Sequence, residues 1–102
     1  MRVFIPAEQR PGEKRVACLP DVAAKIANLG YQVVIESGAG DAAFASDADY
    51  IEAGAQIAPP GSAAQAASEA DVVASVRPLD PQLAGALREG AIAMSFLSPG
   101  AD

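Results

Sequence analysis

The densest set of side chains able to bind or move charge lies in one short stretch, Glu8-Gln9-Arg10-Pro11-Gly12-Glu13-Lys14-Arg15. It follows the apolar run Val3-Phe4-Ile5, so it stands at the carboxyl end of a predicted strand, where open parallel sheets bind their ligands. Val16-Ala17 comes next, so the Arg15 stem can pack while its guanidinium faces a cleft. Arg15 could then clamp a carboxylate, or it could pair with Glu8 or Glu13 and fix the loop. The residues alone favour the pairing.

A second candidate, Gly38-Ala39-Gly40-Asp41-Ala42-Ala43, has the form G-x-G-x-x-A and follows a predicted strand, as half of a dinucleotide fingerprint would. The other half is missing. The glycines should open a helix, yet residues 41–46 show no sustained apolar face. The acid that grips a ribose should lie about 20 residues on, where Ala58-Pro59-Pro60 stands, and Asp41 puts a negative charge where a pyrophosphate would sit. A turn that needs glycine at unusual backbone angles is the better reading. Ser75 and Arg77 fall at the end of a later strand and Ser98 after the last one. A serine without a base partner is no nucleophile, so turn roles are expected. Cys18, between Ala17 and Leu19, is expected to be a buried, inert thiol.

The chemistry is bounded by what the chain lacks. It has no histidine, which removes Ser-His and Cys-His catalysis, histidine-zinc sites and the usual neutral-pH general base. With a single cysteine there is no internal disulfide and no thiolate cage for a metal. Seven basic against 13 acidic residues give a net charge of −6, which argues against nucleic acid and against an anionic membrane surface. No apolar run approaches the roughly 18 residues of a membrane span, and no signal-type segment opens the chain. A cytoplasmic protein is expected.

The elements that must position these groups are marked by hydrophobic period. Arg2-Val3-Phe4-Ile5 reads as a buried strand stopped by Pro6. Leu19, Val22, Ile26 and Leu29 recur at helical spacing and predict one helical face, with Pro20 in the first turn and Gly30 at the stop. Gln32–Glu36 is β-branched and predicts a strand buried on both faces, completing a right-handed βαβ unit. Asp47 is expected to cap a short helix carrying Tyr50 and Ile51, and 55–57 to form a very short strand. Ser62 and Gln65 have capping-box spacing before an alanine-rich helix reaching about Glu69. Residues 71–76 predict a strand, Asp80-Pro81 a helix start with Leu83, Ala84 and Leu87 on its apolar face, and 91–97 the last strand. This alternation means an α/β fold, a parallel sheet with helices on both faces, in one domain. Of the hydrophobic residues 24 are alanine, so the core is expected to rest on about 28 larger side chains. The closing strand has no helix after it, which leaves one flank of the sheet bare and suggests a piece of a longer protein.

Three stretches together resemble a known family: M-R-V-F-I-P-A-E-Q-R-P-G-E-K-R-V-A, L-G-Y-Q-V-V-I-E-S-G-A-G and D-A-D-Y-I-E-A-G-A-Q-I. They are similar to the N-terminal domain shared by alanine dehydrogenase and the proton-translocating NAD(P) transhydrogenase alpha subunit. A-D-V-V-A-S-V-R-P-L-D and the closing S-F-L-S-P extend the likeness over nearly the whole chain. The combination of R-P-G-E-x-R-V-A with E-S-G-A-G is specific; the G-x-G element alone is not.

Within that resemblance, alanine dehydrogenases hold the substrate carboxylate with an arginine that maps onto Arg15. They also use a lysine and a histidine at the positions of Ser75 and Ser98. The P-G-E loop and the S-F-L-S-P ending look more like the transhydrogenase. The resemblance therefore implies a partial N-terminal domain, residues 1–102, of flavodoxin-like or Rossmann-like type, without the NAD-binding domain. It implies an enzyme that transfers hydride between NAD(H) and NADP(H), with NAD and NADP bound by the parent and not by this chain alone. Its partners would be the remainder of the alpha subunit and the membrane and beta subunits, in a homo-oligomer on the cytoplasmic side of the membrane. Arg15 and Glu8 would face the cleft, with no catalytic residue and no metal here. Two alternatives stand beside it: an alanine dehydrogenase-like amino-acid oxidoreductase, and a stand-alone binding or assembly module of the same fold.

Overall fold

Five short strands alternate with four helices in a computed structural model that describes residues 2–7, 19–40, 45–59, 61–75 and 81–95. In chain order they are β1 (Arg2–Ile5), α1 (Pro20–Asn28), β2 (Gln32–Glu36), α2 (Asp47–Glu52), β3 (Gln56–Ala58), α3 (Ala63–Glu69), β4 (Val72–Ser75), α4 (Pro81–Ala86) and β5 (Ile92–Ser95). All the strand pairings are parallel, in the order β3-β2-β1-β4-β5. The α/β sheet expected from the sequence is what forms.

Two successive steps from β1 go one way along the sheet and the next two go the other way. With right-handed crossovers that reversal puts α1 and α2 on one face and α3 and α4 on the opposite face. The core is split accordingly. Val3, Ile5, Val33 and Ile35 pack with Ala23 of α1 and Tyr50 of α2, whereas Phe4 and Val73 pack with Ala67 of α3 and Leu83 of α4. Alternation along each strand therefore feeds both layers, as a sheet covered on both sides requires. Each fully buried Phe or Ile contributes on the order of 1.5–3 kcal/mol over its exposed state.

Several local expectations change. In α1 the wholly buried residue is Ala23, while Leu19, Val22 and Leu29 are exposed. Ala23, Ala27 and, of the large apolar residues, Ile26 pack on the core. The cap of α2 is Ser46 rather than Asp47. Its hydroxyl accepts the Asp49 N–H, and the Asp49 carboxylate accepts the Ser46 N–H, a complete capping box. The capping box proposed at Ser62 does not form: its side chain makes no cap bond, and its hydroxyl donates to the Pro59 carbonyl at 2.6 Å. The core also uses alanine heavily: Ala23, Ala39, Ala45, Ala55, Ala58, Ala67, Ala70 and Ala74 are all buried in it. Close packing of short elements substitutes for side-chain bulk. Val76, Asp80 and the Ala84 side chain lie outside the described residues.

Candidate functional site

The reversal of strand order at β1 places a crevice at the carboxyl ends of β1 and β4, the place where open α/β sheets bind ligands. Its described rim begins with Ala7 after β1, Glu36 and the following turn after β2, and Ser75 at the end of β4. Val3 pairs with Val72 and Phe4 with Val73, and continuing that register sets Ser75 level with Pro6.

Glu36 is an acid at the end of a buried strand, and only 8 % of it is exposed. A carboxylate so placed needs a donor. It accepts the backbone N–H of Ala7 at 2.8 Å, which pins the chain where it leaves β1. The charged loop that begins at Glu8 thus starts from a fixed point.

The glycine turn after β2 is built from the inside. Gly38 has φ +84°, a conformation that costs other residues dearly. Gly40 has no room for a side chain: a Cβ there would lie 2.7 Å from the Ala45 carbonyl oxygen and 2.8 Å from the Tyr50 ring. Asp47, in the first turn of α2, reaches back to this turn. One of its oxygens accepts the Gly38 N–H at 2.9 Å and the other accepts the Ser37 hydroxyl at 2.6 Å. These bonds, the Gly38 amide first and the Ser37 hydroxyl second, hold the Asp47 carboxyl below its ordinary value against a weaker effect of burial.

A dinucleotide pyrophosphate would need that amide and the space beside Gly40. The chain's own carboxylate holds the first and Tyr50 fills the second. The residues of this turn do not fit the cofactor, and the glycines are explained by the turn itself. Among the described residues no cluster of three His, Cys, Asp or Glu could hold a metal ion, and no buried side-chain polar atom lacks a partner. What the described rim supplies is anchorage.

Residues 4–102 match the family described as alanine dehydrogenase/PNT, N-terminal domain. The chain belongs to that family. It is 44 % identical over 102 residues to the first portion of the NAD(P) transhydrogenase alpha subunit of Rhodospirillum rubrum, covering 95 % of this chain and 26 % of that protein. Against the alanine dehydrogenase of Mycobacterium tuberculosis the identity is 39 % over 97 residues, covering 95 % and 26 %. In three dimensions the chain is similar to the transhydrogenase of Sinorhizobium meliloti, with a TM-score of 0.88 and 36 % identity over 97 % of this chain and 29 % of that one. It spans about a quarter of the length of these curated relatives.

Placed in this alanine dehydrogenase/PNT N-terminal domain, the residues singled out from sequence fall into two groups. Ser75 is described: it closes β4, is buried, and has an interaction partner. Arg15, Glu8, Arg77, Ser98 and Cys18 lie outside the described residues, as does Asp41. Sequence reading gave no role to Glu36 and saw Asp47 only as a helix cap. An isolated acid ending a run of β-branched residues is the signal that could have pointed to Glu36. Asp47 gave no comparable signal, because its partners lie in a turn ten residues earlier. No helix among the described residues is long and apolar enough to cross a membrane.

Proposed function

We propose that this chain is the N-terminal portion of an NAD(P) transhydrogenase alpha subunit and walls one side of its NAD cleft. The parent enzyme transfers hydride between NAD(H) and NADP(H), coupled to proton translocation. The observation that carries this reading is the 44 % identity, along 95 % of the chain, to the first portion of a transhydrogenase alpha subunit. Ser75 adds to it, since the family resemblance gives alanine dehydrogenases a lysine at that position.

On this reading NAD and NADP are cofactors of the parent, held by protein beyond these 102 residues, and the chain by itself has no activity. Hydride transfer needs a nicotinamide held against its partner, and positioning is what a rigid rim contributes. Glu36 fixes the exit of β1 through Ala7, and Asp47 fixes the turn after β2 through Gly38. The loop carrying Glu8 and Arg15 then presents its charges to the cleft from a set origin. The remainder of the alpha subunit and the membrane and beta subunits are the partners, in a homo-oligomer on the cytoplasmic side of the membrane.

The complete parent protein in membrane vesicles tests this. The expected result is NADPH-dependent reduction of an NAD analogue, with no NADH oxidation when pyruvate and ammonia are supplied. The 39 % identity to an alanine dehydrogenase favours a second reading, and the opposite pattern of rates would establish it.

A further inference from the structure

At the mouth of the crevice β1 and β2 part, and the hydrogen bonds show how the parting is held. The Ser37 N–H reaches the Ala58 carbonyl of β3, so the odd-numbered residues of β2 address β3 and Glu36 addresses β1. Ile5 pairs with Ile35, which sets Pro6 level with Glu36. One more rung of this parallel ladder would carry the Ala7 N–H to the Glu36 carbonyl.

That rung is made differently. The Glu36 carbonyl accepts the Ala39 N–H at 2.9 Å and closes the glycine turn. Gly38, at φ +84°, has the angle that a type II turn requires of its third residue. The Ala7 N–H goes instead to the Glu36 side chain, at 2.8 Å. A buried carboxylate thus stands in for the carbonyl that the turn has taken. On the other side of β1 the Arg2 carbonyl accepts the Asp71 N–H, so the even-numbered residues there address β4. Pro6 belongs to that series and has no N–H to give, so the N–H that fixes β1 at this level is Ala7's. One residue serves two parts of the rim: its main chain shapes the turn after β2, and its side chain holds the exit of β1.

We propose that Glu36 is a positioning residue for the reaction of the parent enzyme. Through its carboxylate it sets the distance between the exit of β1 and the glycine turn, and with it the shape of the cleft wall. This rests on the transhydrogenase reading above, in which the nucleotide is bound by protein beyond this chain. Loss of the rung then misplaces the wall without removing a nucleotide contact, and a misplacement of about 1 Å can cost about 100-fold in rate. The rung needs a strong acceptor of this length, so an amide oxygen suffices and a thioether does not.

The test compares Glu36→Met, which keeps length and bulk, with Glu36→Gln in the complete parent protein in membrane vesicles. NADPH-dependent reduction of an NAD analogue gives kcat and KM, and hydrogen exchange read by mass spectrometry follows the Ala7 amide. In Glu36→Met, kcat should fall at least about tenfold while KM for the analogue stays within about twofold, and Ala7 should exchange faster. Glu36→Gln should restore both kcat and exchange to within about threefold of native. If the methionine variant does not fold, Glu36→Asp, which keeps the charge but is one methylene short of the N–H, takes its place with the same expectation. An unchanged kcat, an equal loss in the glutamine variant, or a loss confined to KM overturns the proposal. The exchange readout is independent of catalysis. A native parent without the activity sinks the transhydrogenase reading, whereas unchanged exchange at Ala7 sinks the rung.

Discussion

The sheet has two flanks without a helix among the described residues, and their chemistry is opposite. On the face of α3, beside β2 and β3, lies an open groove of about 420 Å³ lined by Gln56, Gln65, Ser62, Glu69 and Arg2 around a small apolar floor at Val34. Arg2 donates to Glu69 at 3.0 Å and to Gln32 at 3.2 Å. On the face of α1, beside β4 and β5, the exposed side chains are Ile92, Met94, Val22 and Leu29. The first flank carries amides and an ion pair; the second carries Ile, Met, Val and Leu. The same topology leaves both gaps, and the side chains distinguish them.

Between the flanks lies the sealed centre, which sets the scale for every other effect. Phe4→Ala removes a fully buried ring packed between β1 and the α3 face, and should cost about 3–5 kcal/mol in urea unfolding of the chain. Next comes the apolar flank. Ile92→Lys combined with Met94→Lys should change the isolated chain by no more than about 0.5 kcal/mol.

Of similar size is the effect of Glu69→Gln on the polar flank. The Arg2–Glu69 pair is partly exposed, so its loss should cost about 0.2–1 kcal/mol, and the cost should disappear in high salt. The least effect belongs to the glycine turn after β2. Asp47 has a lowered pKa in the folded chain, so its contribution is present above the ordinary carboxyl value near 3.8 and is lost as the pH falls through the lowered one. The difference in thermal midpoint between the native chain and Asp47→Asn should therefore be full at neutral pH and close in strong acid. A difference that persists at low pH would mean the bonds to Gly38 and Ser37 do not depend on the charge.

Sequence reading found the strands and helices because β-branched runs and Pro and Gly punctuation are local signals. It placed Pro20 and Pro81 at helix starts, and Gly30 and Gly38 at turns with positive φ. For α1 it was right about Ile26, which packs on the core, but not about Leu19, Val22 and Leu29, which are exposed, because helical period gives an apolar stripe but not the direction of the sheet. Ser46 and Ser62 show the same limit at the caps. Both precede a helix, yet only the Ser46 hydroxyl accepts an N–H of that helix. At the site, the glycine turn was legible from the missing helix signal and the charge of Asp41. The tie from Glu36 to Ala7 spans 29 residues, and only the folded sheet brings its ends together.

The central claim is that this domain lends shape to a cleft whose cofactor is held by protein beyond it. Calorimetric titration of NADH into the 102-residue chain, with its folding verified by circular dichroism in the same sample, tests that most directly. No saturable heat from the chain and clear binding by the complete parent are expected; micromolar binding by the chain alone would contradict the claim.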